Sequence, residues 1–209
     1  NFSSWAATDL KFKDNAILTS GISSLNSSIN NFTDIFRNQK SQDLDIVKIL
    51  PENTTQLFAI SFENQQKIYN AKNKILQNRN EFWNWNKNRK LVFEETNIDF
   101  NEFINEVNYE AGIFNASVKL SPKKTYTYFK TNESIRATSM MQGIITSSLN
   151  YKDFVINKVT ENNLTANLFG DFFDAKNMFF ITINDYFIFG RSTIALEYII
   201  DNYVAKNTL

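Results

Sequence analysis

The sequence predicts an α+β fold: an antiparallel sheet built from hairpins, with helices packed on one face. Several short segments alternate apolar and polar residues, which is typical of half-buried strands. Other segments place apolar residues three and four positions apart, as helices do. Most of the predicted strands are separated by short turns, which connect antiparallel neighbours. These three observations define the class.

In the first half of the chain we expect a hairpin, a strand and two helices. The hairpin occupies the first 22 residues and turns at Asp14-Asn15. A polar loop and at most a short helix at 32–36 precede a strand at 55–62. The first helix is indicated by an apolar face of Ile68, Ala71 and Ile75. The second begins at a cap, Asp99, and has an apolar face of Phe100, Phe103, Ile104 and Val107.

The second half is predicted to contain six strands and two helices. The strands occupy residues 112–120, 125–130, 154–159, 164–169, 179–183 and 186–189. The last two strands form a hairpin that turns at Asn184-Asp185. One helix is expected over 137–145, and the other places apolar residues from Ile194 to Tyr203 on one side. Because the chain has only five Gly and two Pro, Asn, Asp and Ser must form most of the turns.

With 209 residues, the chain is expected to form a single α+β domain, residues 1–209. A strand, a polar cap and a helix recur at 57–76, 126–145 and 186–203, so a weak internal duplication stays open beside coincidence within one domain. Residue 1 is not Met and no signal segment opens the chain, so we expect a piece of a longer protein. No apolar run approaches the roughly 20 residues of a membrane span.

The composition excludes several kinds of catalysis. The chain has no Cys, hence no disulfide, no thiolate metal site and no Cys nucleophile, and it has no His, the commonest general base. Five Gly are too few for a phosphate-binding loop. Basic and acidic residues are equal at 22 each, so the net charge does not point to nucleic acid or anionic lipid. We therefore expect a non-enzymatic binding or assembly domain with no cofactor and no metal.

Charge is nevertheless separated along the chain. Residues 65–90 contain seven basic residues and one acid, whereas residues 94–110 contain six acids and no base. Two neighbouring segments that lie together and neutralise each other explain this pattern most simply. A basic strip for an anionic partner is the functional alternative.

Two of the three Trp, Trp83 and Trp85, lie inside the basic segment. Such side chains either pack within the chain or stack on a sugar ring or base while cations hold a carboxylate or phosphate. In the second case the candidate binding residues are these two Trp, with Arg79, Lys87 and Arg89 as anion partners. The partner is then an unknown protein or glycan. The two indoles point apart on a helix and to the same side on a strand.

Two other functions stay open. Paired carboxylates hydrolyse glycosides without His or Cys, and Asp171 with Asp174, flanked by Phe172 and Phe173, is the best local pair for a carboxylate-dependent glycan hydrolase. A turn is the simpler role for that segment. A single-stranded nucleic-acid binder is the second alternative, and it predicts binding that weakens steeply with salt.

Three stretches are similar to a known family: residues 5–10 (WAATDL), 49–54 (ILPENT) and 185–190 (DYFIFG). Together they resemble uncharacterised cell-envelope proteins of the Bacteroidetes. The resemblance implies an extracytoplasmic location, in the periplasm or at the cell surface, within a protein that carries further domains, and it implies no activity. A Mycoplasma-like surface protein would share the composition.

Overall fold

The computed structural model describes residues 5–13, 16–24, 31–36, 39–40, 42–118, 121–160, 164–170, 173 and 177–209. In this part of the chain the strands are β1 (Ala6–Lys13), β2 (Ala16–Ser23), β3 (Thr54–Ser61), β4 (Val107–Val118), β5 (Ser121–Thr131), β6 (Ile145–Tyr151), β7 (Phe154–Val159), β8 (Phe179–Ile183) and β9 (Tyr186–Gly190). The helices are α1 (Gln65–Asn78), α2 (Phe82–Thr96), α3 (Phe100–Phe103), α4 (Ser134–Met140), α5 (Leu164–Phe169) and α6 (Thr193–Val204). Short 3-10 helices occur at Phe32–Phe36, Ile46–Lys48, Ile104–Glu106 and Gln142–Ile144.

Seven of the strands form one antiparallel sheet in the order β3-β4-β5-β9-β8-β7-β6, and β1 pairs with β2 in a separate two-stranded sheet. The pairs β4–β5, β6–β7 and β8–β9 are hairpins, whereas β5–β9 and β7–β8 join segments that are distant in sequence. The α+β class and the antiparallel sheet built from hairpins are therefore confirmed.

Both faces of the seven-stranded sheet are buried at its centre, whereas the edge strand β6 is largely exposed. Along β9, Phe187 and Phe189 enter one apolar core while Tyr186 and Ile188 enter a second, because successive side chains of a strand point to opposite faces. Residues of α1 to α5 contribute to the first core, and α6 with residues 46–50 contributes to the second. Five helices thus share one face, but α6 covers the opposite one, so the expectation that the helices pack on one face is wrong for α6. All five residues of β9 are buried, a pattern typical of a strand covered on both sides.

Most predicted strands and the last hairpin are confirmed, but several helix boundaries and types differ. The predicted strand at 164–169 is wrong: α5 occupies it, with Leu164 and Leu168 buried one turn apart. The helix predicted to reach Val107 ends as α3 and a 3-10 turn, and β4 begins at Val107. Likewise α4 ends at Met140, so that β6 begins at Ile145. The turn expected at Asp14-Asn15 lies outside the described residues.

A short connection joins α1 to α2, and Asn residues provide the unusual backbone around the two helices. The Asn64 side chain caps α1 by accepting a hydrogen bond from Lys67 N at 2.8 Å. Asn80, between the two helices, and Asn97, after α2, both have φ of 59°, the left-handed region that Asn tolerates better than most residues. The expected use of Asn in turns is thus confirmed at both ends of α2.

Gly143 allows the C-terminal end of α2 to approach the chain before β6. A Cβ atom at this position would lie only 1.7 Å from the backbone oxygen of Thr96. We expect Gly143→Ala to lower the free energy of unfolding by about 1–3 kcal/mol, because the helix end would have to shift. Urea denaturation measures the change, with Ser139→Ala, at an exposed position nearby, as the control. Equal stability of Gly143→Ala and the parent chain would contradict this close approach.

No helix among the described residues combines the length and the hydropathy that crossing a membrane requires. The single domain over residues 1–209 and the internal duplication both stay predictions.

Candidate functional site

The two Trp of the basic segment point to different sides of α2, as a helix requires. Trp83 is 68% exposed, and Lys87 Nζ lies 5.3 Å from the centroid of its ring. Trp85 is half-buried against the first core, with its ring 6.0 Å from Tyr69 and 5.6 Å from Phe82. The helix therefore presents one indole to solvent and places the other between itself and α1.

Two cations of the chain itself lie over the Trp85 ring. Lys72 Nζ is 4.7 Å and the Arg89 guanidinium 4.5 Å from the ring centroid. Lys72 also donates hydrogen bonds to the carbonyl oxygens of Asn167 and Leu168, at 3.0 and 2.9 Å, which ties α1 to the end of α5. Trp85 thus holds these two cations in place within the chain.

Arg89 is buried and retains an unused donor. Its side chain is 6% exposed, and its guanidinium lies 5.3 Å from the Tyr69 ring and 5.1 Å from the Phe100 ring. Its Nη2 donates to Asn101 Oδ1 at 3.3 Å, whereas its Nε has no hydrogen-bond partner among the described residues. Burial lowers the pKa of Arg89, against the opposing influence of Tyr69 and Asp99, and an arginine still stays charged at neutral pH.

A cavity of about 180 Å³ opens between α2 and α3 at this arginine. Its wall includes Asn86, Arg89, Lys90, Phe93, Asp99 and Asn101. Two of these residues are cationic and one is anionic, and the Asp99 carboxylate already accepts a hydrogen bond from Asn101 N at 2.7 Å. The cavity wall therefore has one more positive than negative charge, and its cations, Arg89 and Lys90, suit a small anion.

The exposed indole and part of the cavity wall lie on the same side of α2. Asn86, Lys87 and Lys90 follow Trp83 by three, four and seven positions, so they share its side of the helix. Lys90 is part of the cavity wall, about two helical turns along α2 from Trp83, although the sequence alone did not mark it as a site residue. The spacing from Trp83 is the signal that identifies it once α2 is known to be helical. Arg79 lies at the exposed C-terminal cap of α1 and does not line the cavity.

A second polar cluster surrounds Glu110, which is fully buried. One carboxylate oxygen accepts from Tyr128 OH at 3.1 Å and Ile46 N at 3.3 Å, and the other from Tyr186 OH at 2.7 Å and Asp45 N at 2.9 Å. Burial, assisted by the adjacent Glu110, raises the pKa of both tyrosines. Because four donors occupy both oxygens, this carboxylate joins the segment at 46–50 to the sheet rather than binding a ligand.

The neighbouring Asp45 is also engaged within the chain. It accepts hydrogen bonds from Lys48, at 2.7 Å, from Lys130, at 3.0 Å, and from Tyr109 OH. These hydrogen bonds, that of Lys48 foremost, hold the pKa of Asp45 well below its usual range. Lys130 also lies 4.3 Å from the Tyr109 ring centroid. The group is partly exposed, and its one carboxylate is engaged by two ammonium groups of the same chain.

The predicted carboxylate pair, Asp171 and Asp174, lies outside the described residues, so the hydrolase alternative stays a prediction. Within the described part of the chain, no three acidic side chains gather closely enough to hold a metal ion.

Two acids of the negatively charged segment have their partners elsewhere than in the basic segment. Glu106 pairs with Arg136 at 3.0 Å, and Glu110 binds the tyrosines described above.

Comparison with known proteins gives no match: no family model, no curated protein and no solved structure is significantly similar to this chain. The functional interpretation therefore depends on the site geometry, and the resemblance to Bacteroidetes envelope proteins stays a prediction.

Proposed function

We propose that the chain is a non-enzymatic binding domain whose exposed α2 face binds an acidic glycan. One observation carries the proposal: the exposed Trp83 lies on the side of α2 that also forms part of a cavity lined by the cations Arg89 and Lys90. An aromatic platform beside a buried cation suits a ligand with a ring and a carboxylate.

Each residue of this face has a distinct role in the proposal. The Trp83 indole stacks on the apolar side of a sugar ring, and Lys87 with Lys90 attracts the negative charge of the ligand. Arg89 and Lys90, both in the cavity wall, bind a carboxylate that enters the cavity. Trp85 is a positioning residue, because its ring lies against the Arg89 guanidinium and limits the orientations that Arg89 can adopt.

The same geometry favours a glycan over a single-stranded nucleic acid. A single-stranded nucleic acid needs several rings for successive bases along a charged groove, whereas the two exposed rings of α2, Trp83 and Phe93, lie ten positions apart along the helix. The extracytoplasmic location belongs to the same proposal; it is supported by the sequence resemblance and is compatible with a glycan ligand.

Trp83→Ala is expected to weaken binding of a short 1,4-linked oligouronate by about 10- to 100-fold, because ring stacking on one aromatic side chain contributes about 1–3 kcal/mol. Isothermal titration calorimetry at low salt measures the affinity. Trp5→Ala is the matched control, since Trp5 is also an exposed indole, at 56%, and lies far along the chain from α2. The control is expected to bind like the parent chain.

A neutral oligosaccharide of the same length tests the charged part of the site, and it is expected to bind more weakly than the oligouronate. Lys90→Gln should reduce this preference for the acidic ligand. The proposal fails if the oligouronate does not bind, or if Trp83→Ala binds it as the parent does. Tighter binding of an oligothymidylate, with a steep dependence on salt, would assign the face to nucleic acid instead.

A further inference from the structure

The hairpin of β1 and β2 exposes apolar side chains and its outer edges. Leu10, Phe12 and Ile22 are 58%, 75% and 67% exposed. Among the described residues, β1 pairs only with β2, and β2 only with β1. An isolated two-stranded sheet is marginally stable, and an open strand edge is a template for a further strand. The hairpin therefore has the features of an interaction surface.

The hydrogen-bonding pattern shows which residues of β1 face its outer edge. Ser24 N donates to Trp5 O at 2.9 Å, and Trp5 is opposite Ser24 in the continued register of the hairpin. Odd-numbered residues of β1 therefore direct their backbone groups to β2, since hydrogen-bonded pairs alternate in antiparallel strands. The N–H and C=O groups of Thr8, Leu10 and Phe12 consequently point outward.

We infer that a second copy of this chain pairs with that edge, strand β1 against strand β1, antiparallel and with Leu10 opposite Leu10. In this register Asp9 of each copy faces Lys11 of the other, so two opposite-charge pairs form. Thr8 faces Phe12 in the same way. Each Asp9 and the Lys11 that it faces in the other copy then form a non-hydrogen-bonded pair. In such pairs the side chains of facing residues lie closest.

Charge complementarity selects this register over its neighbours. Moving the centre to Asp9 sets two carboxylates opposite each other, and moving it to Lys11 sets two ammonium groups opposite each other. Like charges directly across a strand pair are unfavourable. The Leu10-centred pairing is also two-fold symmetric, so it closes as a dimer with a four-stranded sheet in the order β2-β1-β1-β2. A four-stranded sheet is expected to be more stable than the two-stranded hairpin, which is only marginally stable alone.

Sedimentation equilibrium of the full chain at low salt tests the inference. We expect a reversible monomer–dimer equilibrium between about 1 and 300 μM, because a single strand pair buries less area than standard interfaces. Asp9→Lys and Lys11→Asp should each weaken dimerisation about tenfold or more, since each variant sets like charges opposite each other twice. Asp43→Lys changes the net charge equally at an exposed position outside the hairpin and should dimerise like the parent.

The decisive sample is an equimolar mixture of Asp9→Lys and Lys11→Asp. In a mixed dimer, both facing pairs again have opposite charges, so the mixture should dimerise like the parent although neither variant does so alone. Unchanged circular dichroism confirms that both variants fold. A parent chain that is monomeric throughout, a mixture that stays monomeric, or polymers that grow beyond the dimer would each overturn the inference.

Discussion

Glu110→Ala is expected to lower the free energy of unfolding by about 3–5 kcal/mol, because four donors lose their acceptor in a buried site. Two of these donors are the backbone N–H groups of Asp45 and Ile46, and two are the hydroxyl groups of Tyr128 and Tyr186. The substitution also leaves a cavity beneath the segment at 46–50. Urea denaturation followed by circular dichroism measures the loss.

Two further variants separate the possible causes. Glu110→Gln keeps the shape but directs an amide donor at groups that are themselves donors, so we expect an intermediate loss of about 2 kcal/mol. Glu102→Ala removes an exposed carboxylate from α3 and should change stability by less than about 0.5 kcal/mol. A loss for Glu110→Ala as small as that of Glu102→Ala would show that the carboxylate is not what holds the 46–50 segment.

The second large effect is expected at alkaline pH. Burial raises the pKa of Tyr69 to about 12 and raises the pKa of Tyr126, Tyr128 and Tyr186 as well. In the unfolded chain these phenols ionise near pH 10. Above that pH the unfolded state binds fewer protons than the folded state, so the stability that is complete below pH 10 is lost as the pH rises. Between about pH 9 and pH 11 we expect a loss of about 3–5 kcal/mol.

Urea denaturation across that pH range measures the effect, and Tyr126→Phe supplies the control. This variant removes one of the four protected phenols along with its hydrogen bond to the Ala195 carbonyl, at 3.1 Å. Its stability at neutral pH falls slightly, but its further loss between about pH 9 and pH 11 should be smaller than that of the parent by about 1 kcal/mol. A free energy of unfolding that is constant over this range would contradict the protection of the tyrosines.

The sequence predicted best the elements whose apolar pattern decides their structure. The hairpin at Asn184-Asp185 and the helix that follows it have clear periodicity, and both are confirmed. By contrast, α2 was not predicted, because its buried face consists of Arg89, Val92 and Thr96, of which only Val92 is apolar. The six-residue α5 was mistaken for a strand, since a segment that short fits either period.

The candidate site was accessible from the sequence only in part. Residue types within the basic segment identified Trp83, Lys87 and Arg89, which the structure places along α2. The roles differ, however, because Arg89 is buried and Trp85 has two cations of its own chain over its ring. Those contacts bring together α1, α2 and α3, and no local pattern specifies which side chains meet between helices. Lys90 was missed because α2 was not predicted, so its spacing of seven positions from Trp83 was not recognised as one side of a helix.

The strand order has a consequence for how the chain is made. The hairpins β4–β5 and β6–β7 precede β8–β9 along the sequence, yet β8–β9 lies between them in the sheet. The two earlier hairpins leave the ribosome first. They do not pair with each other directly, because β8–β9 lies between them in the sheet and is synthesised last. Synthesis of these final strands therefore converts two separate units into one sheet, and until then a nascent chain exposes edges that chaperones recognise.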